Sequence, residues 1–227
     1  MASTYTDLGI ELMVTGENAG TWGSKTNSNL SLIEQLTGGV LSISIAGGAG
    51  NQDLTIADGA LTGTAQQRIL EFTGTISGAR VIRFPLLTEN FYIIKNGTTG
   101  AHTVQLKAVS GSGATVTFAA GDKGYKIVYL DGVATNTGVF DVFSNTNFGA
   151  ITATGNILPG ANDTYDLGAT GSVWRNIYTG DLHLNNEHKK EGNIVDGSKG
   201  SWTLQEGAED IYLINNKSNE KFRLKLE

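Results

Sequence analysis

The side chains that titrate near neutrality in this 227-residue chain are three histidines, His102, His183 and His188. His102 shares strand parity with Val104 and Leu106, as a strand-end residue would. His183 lies between Leu182 and Leu184 and faces away from both. In a threefold assembly one such histidine per chain would converge on the axis and offer nitrogen ligands to a metal ion. A solvated His183 is far commoner, so neither metal nor cofactor is expected. The chain has no cysteine, which removes thiolate nucleophiles and cysteine-based zinc sites. It contains neither a Gly-x-Ser-x-Gly elbow nor a Gly-x-x-x-x-Gly-Lys-Ser/Thr phosphate loop. Gly47, Gly48 and Gly50 cluster without a following helix, which reads as a turn. Asp163 and Asp166 lack the alternating oxygen ligands of a calcium loop. The remaining acids are scattered over turns, with no pair placed to cleave a glycosidic bond. The chain is not expected to be an enzyme.

Tyr92, Tyr125, Tyr129, Trp174, Tyr178 and Trp202 could stack on sugars, but most sit on alternating segments, where a core or interface role is the simpler reading. A formal net charge of −6 and a pI near 5.1 give no long-range attraction to phosphate, so no nucleic-acid partner is expected. No apolar run approaches the roughly 20 residues that cross a bilayer, so membrane insertion is not expected either. Met1 to Asp7 is polar, unlike a secretory leader, and synthesis in a cytoplasm follows.

The elements that would hold these residues divide the chain in four. Residues 1–39 carry a Gly/Asn-rich loop with Trp22, then a helical period in which Leu30, Leu32, Ile33 and Leu36 share one arc. Ser28 or Thr26 would be the N-cap and Gly38-Gly39 the stop. A helix of about ten residues is marginal alone, so its apolar side must dock either on its own domain or on a neighbouring subunit or larger assembly. Residues 40–143 switch to a period of two. Eight or so short strands are expected there, punctuated by Asn96-Gly97, Gly111-Ser112-Gly113, Gly121 to Gly124 and Asp131-Gly132. That spacing predicts an all-β fold, an antiparallel β-sandwich or jelly roll.

Residues 144–186 hold a connector, Ser144 to Gly160, and then a module of isolated short strands bearing Trp174, Ile177, Tyr178, Leu182 and Leu184. Residues 187–227 predict a meander through Ser201 to Gln205, Ile211 to Asn215 and Lys221 to Leu226. Roughly forty residues are at the limit of what folds alone. Burial against copies of the same chain is the simplest remedy.

Three stretches resemble virion structural proteins of tailed bacteriophages, particularly tail fibre and short spike proteins of marine phages. Thr15 to Glu34 resembles the N-terminal segment of tail fibre and adhesin-like proteins. Asn162 to Leu182, with its Asp-Leu-Gly, tryptophan and Ile-Tyr elements, is similar to a module that recurs in fibre shafts. Gly200 to Glu227 looks like a short C-terminal β module of phage structural proteins. The resemblance implies a homotrimeric tail fibre or short spike located in the virion, its C-terminal β module intertwined between three copies. It implies docking to other tail or capsid proteins through Trp22, Leu30, Leu32, Ile33 and Leu36. The subunit interface would carry Tyr165, Leu167, Trp174, Ile177, Tyr178, Leu182 and Leu184, with host surface glycan as a further contact. A head fibre or capsid decoration protein is the alternative.

Overall fold

Alternating apolar residues between Val40 and Asp141 do form strands, and a computed structural model shows how the chain uses them. The structure describes residues 2–144, 146–147 and 149–224. They fall into two compact units, Met1–Gly149 and Ala150–Glu227.

In the first unit a short hairpin, β1 (Thr4–Tyr5) and β2 (Glu11–Leu12), precedes helix α1 (Trp22–Gly38). Nine strands follow: β3 (Val40–Ser44), β4 (Gly50–Asp53), β5 (Ile69–Thr73), β6 (Arg80–Phe84), β7 (Glu89–Asn96), β8 (Val104–Ala108), β9 (Val116–Phe118), β10 (Tyr125–Asp131) and β11 (Val139–Asp141). They make a five-stranded sheet, β11-β10-β7-β5-β3, and a four-stranded sheet, β4-β6-β8-β9. From β3 to β8 the chain visits the two sheets in turn.

This path corrects the expectation of a wholly antiparallel arrangement. β3, β5 and β7 pair in parallel, and so do β4, β6 and β8. Parallel neighbours need a crossover, and here the strand of the opposite sheet supplies it, so each coil of chain gives one strand to each sheet. Only β9, β10 and β11 add antiparallel pairs. The corners stack as well: Gly47 bridges Ile76, Thr75 bridges Thr99, and Thr99 Oγ1 donates to Thr75 Oγ1 over 2.9 Å. Gly100 turns one corner at φ +96°, where a Cβ would lie 2.2 Å from the Ile76 carbonyl oxygen. Asn96-Gly97 is also a corner, because neither residue has the positive φ that a two-residue hairpin of this type requires. Instead Gly97 N–H donates to Phe72 O over 2.8 Å, and the buried Asn96 side chain donates to Asp122 O over 2.6 Å.

Both sheets feed one core that includes Leu70, Phe72, Ile82, Phe84, Tyr92, Leu106 and Phe118. The Phe84 and Tyr92 rings, one from each sheet, meet at 5.1 Å. Tyr92 satisfies its hydroxyl by donating to Ala65 O over 2.8 Å, as a buried phenol must.

Helix α1 starts earlier than Ser28 or Thr26 would place it. Its N-cap, Thr21, makes no side-chain cap bond, and the amides of Thr21 and Trp22 donate to Asn18 O instead. The stop falls at Gly38-Gly39 as expected. Gly39 is extended, and a Cβ there would lie 1.9 Å from Gln67 Oε1, so close approach requires the glycine.

The second unit contains one antiparallel sheet in meander order, β12 (Leu182–Asn185), β13 (Ser201–Glu206), β14 (Ile211–Asn215) and β15 (Lys221–Arg223). The expected last strand ran on to Leu226, and its final residues lie outside the described ones. Between Ala150 and Asp181 the only pairing among the described residues is the isolated bridge Ala169 to Ser172. The short strands expected around Tyr165 and Val173 to Tyr178 do not form within one chain, where no neighbouring backbone is placed to pair with them.

Candidate self-association surface

The register of the second sheet sorts its residues onto two unlike faces. Leu182 stands opposite Leu204, Leu184 opposite Trp202, Leu204 opposite Leu213, and Leu213 opposite Phe222. Side chains alternate along a strand, so these six, together with Ile211, lie on one face. Trp202 and Phe222 touch there, ring centroids 5.8 Å apart. On the other face Thr203 is buried; its hydroxyl lies 2.9 Å from His183 Nδ1 and donates to Asn216 Oδ1 over 3.0 Å. Gln205 Nε2 donates to Asp181 over 3.0 Å, and Arg223 pairs with Asp210 at 2.9 Å.

The apolar face is open in a single chain. Leu182, Leu184, Ile211 and Phe222 are exposed, and Trp202, Leu204 and Leu213 are half-buried. Upstream, Tyr165, Leu167, Trp174, Ile177 and Tyr178 are exposed as well, Tyr178 to 92%. Complete burial of one such side chain is worth about 1.5–3 kcal/mol. The second unit therefore holds a large unused driving force for association. What this arrangement can do chemically is exclude water against a matching apolar surface.

The seven interface residues drawn from the sequence do not form one cluster. Leu182 and Leu184 lie on the sheet face, whereas Tyr165, Leu167, Trp174, Ile177 and Tyr178 belong to the extended stretch before it. Trp202, Leu204, Ile211, Leu213 and Phe222 were missed as interface residues. Trp202 and Leu204 alternate with polar residues within Ser201 to Gln205, and Phe222 stands between Lys221 and Arg223, whereas Ile211 to Ile214 is a continuous apolar run in which alternation does not single out Ile211 and Leu213.

The docking set also divides. Leu32 and Leu36 are buried within the first unit, at 0% and 6% exposure, so their side chains are not available to an outside surface. Trp22, Leu30 and Ile33 remain exposed. The helix is tied into its own unit by polar contacts. Asn29 accepts from Glu11 N–H and donates to Glu11 O, each over 2.9 Å, while Lys25 pairs with the buried Glu11 carboxylate at 3.1 Å. Hydrogen bonding from Ser3 and Lys25 holds the Glu11 pKa below the usual carboxylate range, and Glu11 in turn raises that of Lys25. At the other end Arg68 N–H donates to Gln35 O over 3.1 Å.

The residues with catalytic potential stay apart. His188 Nε2 lies 3.7 Å from Asp163, whose other oxygen is 3.5 Å from Lys189 Nζ, and His102 stands alone just before β8. Among the described residues no group of three or more His, Cys, Asp or Glu side chains could hold a metal ion, and no helix is long and apolar enough to cross a membrane. Comparison of the chain with known protein families, curated proteins and solved structures finds no match.

Proposed function

We propose that this chain is a structural protein of a tailed-phage virion, a homotrimeric tail fibre or short spike, non-enzymatic and without a cofactor. The observation that carries this reading is the open apolar face of Leu182, Leu184, Trp202, Leu204, Leu213 and Phe222, preceded by a stretch rich in exposed aromatic and aliphatic residues. An assembly whose copies share a core supplies the missing cover. The resemblance of Asn162 to Leu182 to a fibre-shaft module favours three copies. In this reading the second unit becomes an intertwined β module, and the first is a two-layer β unit. Its N-terminal region contacts tail or capsid proteins through Trp22, Leu30 and Ile33, and host surface glycan is a further contact.

Light scattering of the purified full chain at micromolar concentration tests the assembly: a mass of three chains is expected, and a monomer overturns the reading. Imaging of labelled protein on particles tests the position. Label on the tail is expected, whereas label on the capsid would favour the head fibre or decoration alternative. Label on neither would remove the virion assignment.

A further inference from the structure

The two sheets of the first unit present very different outer faces. On the four-stranded sheet the outward positions read Asn51, Val81, Gln105 and Thr117 in one row and Asp53, Arg83 and Lys107 in the next. Arg83 Nη2 donates to Asp53 Oδ2 over 2.8 Å. This is the polar exterior expected of a sheet with one solvated face.

On the five-stranded sheet the outward rows are apolar. Val142 N–H bonds to Ile127 O, Ile127 stands opposite Ile93, Ile93 opposite Ile69, and Ile69 opposite Val40, a row that crosses four strands and ends one residue past β11. Beside it runs an aromatic row in which Tyr129 stands opposite both Phe140 and Phe91. The Tyr129 and Phe140 rings stack at 4.9 Å, and the Arg68 guanidinium lies 4.3 Å over Phe91. Val40, Phe91, Tyr129 and Val142 are exposed, and the three isoleucines are half-buried.

We propose that this outer face is a second self-association surface, covered in the assembled protein by other copies of this chain. The proposal rests on the assembly reading above. Two observations select a copy as the occupant. The first is extent: five strands about 4.8 Å apart span roughly 24 Å, and two residues along a strand advance about 7 Å. The footprint of the two rows is roughly 250–300 Å², comparable to the largest apolar patch of a typical monomer and below the roughly 800 Å² per partner of a stable interface. Such a face holds a partner only when another contact keeps that partner close, as the second unit would do for copies. The second is charge. Copies with a net charge of −6 repel one another, yet these two rows carry no acid. The row on one side pairs Glu71 with Lys95 at 2.6 Å, and the row on the other side holds Glu89 opposite Asp131, whose Oδ1 accepts from the Gly138 amide. The two rows themselves set no acid against acid, their nearest charge being the Arg68 guanidinium over Phe91.

The absence of native cysteine gives a direct test. Full-length Ile127→Cys and Ile93→Cys are treated with a short bismaleimide, with Gln105→Cys on the polar face as control. Covalent dimers on a denaturing gel are expected from the first two and not from the control. If neither of the first two cross-links while light scattering still reports an oligomer, this proposal fails and the assembly reading stands. If scattering reports only monomer, the assembly reading itself has failed. A second variant, Ile93→Lys with Ile127→Lys, should raise the concentration at which the oligomer dissociates by about tenfold or more. An unchanged dissociation midpoint, with the far-ultraviolet spectrum preserved, would equally overturn the proposal.

Discussion

Phe84 and Trp202 are both large strand aromatics, yet only Phe84 is sealed inside its own chain. The difference lies in the path of the backbone. In the first unit the chain crosses to the other sheet and back, so an inward side chain on one layer meets residues of the other. In the second unit the chain only meanders, making a single layer with one apolar face. Burial is thus set by whether the topology brings a second layer, and the two units have similar alternation with opposite outcomes.

The sharpest way to break this comparison is to delete a large side chain on each side of it. Phe84→Ala should lower the unfolding free energy by about 3–5 kcal/mol, to the same extent at every protein concentration, as denaturant titrations at two concentrations would show. Trp202→Ala should cost less, up to about 3 kcal/mol per chain, and its effect should depend on concentration because the loss falls on assembly. Melting temperatures measured over a hundredfold dilution distinguish the two. A concentration-dependent effect of Phe84→Ala, or a concentration-independent effect of Trp202→Ala, would erase the contrast.

Tyr92→Phe should cost about 1–2 kcal/mol by leaving the Ala65 carbonyl without its donor. Burial pushes the Tyr92 phenol up to about 12 from an ordinary value of 10.0. Its folded-state pKa is raised, so its contribution is complete below about pH 10 and is lost as the pH rises through about 12. An alkaline melting series should therefore fall less steeply over that window in Tyr92→Phe than in the native chain. Glu11 has the opposite sign. Its pKa is lowered, so its contribution is present above the ordinary carboxylate range and is lost as acid protonates it. Glu11→Gln should flatten the acid limb of the first unit's stability curve. Smallest of all, Trp22→Ala should change stability by no more than about 0.5 kcal/mol, since the ring is 66% exposed. If it nevertheless abolished incorporation into particles, Trp22 would be assigned to docking.

The sequence made the strands legible because one buried face imposes a period of two. It could not reveal their direction: Leu41, Ile43 and Ile45 alternate identically whether the neighbour runs parallel or antiparallel. β4 escaped for a different reason. Gly50-Asn51-Gln52-Asp53 has no apolar residue, and its strand conformation depends on the parallel partner β6. The period of α1 correctly marked Leu32 and Leu36 for burial but left open what would bury them, because the hairpin and Asn29 contacts that tie the helix to its own unit are not periodic. In the second unit Leu182 and Leu184 stood out because the short segment carrying them offers no core of its own. Trp202, Leu213 and Phe222 joined them only once the register was known, since facing residues on different strands are neighbours in space alone.

The coiled path of the first unit also bears on how such a protein could change in length. Ile69 pairs with Ile93 and Arg80 with Val104 at the same spacing along the chain, with Thr99 set directly above Thr75 at the corner. The preceding storey is longer, 29 residues from Val40 to Ile69 and 30 from Gly50 to Arg80, yet it keeps the same parallel register. Duplicating or excising a whole storey would leave the register of the others and the capping strands β9 to β11 intact, whereas a shift of one residue would turn every inward side chain of that storey outward. Height in such a unit changes in steps of one coil, because only a whole coil keeps every inward side chain inward.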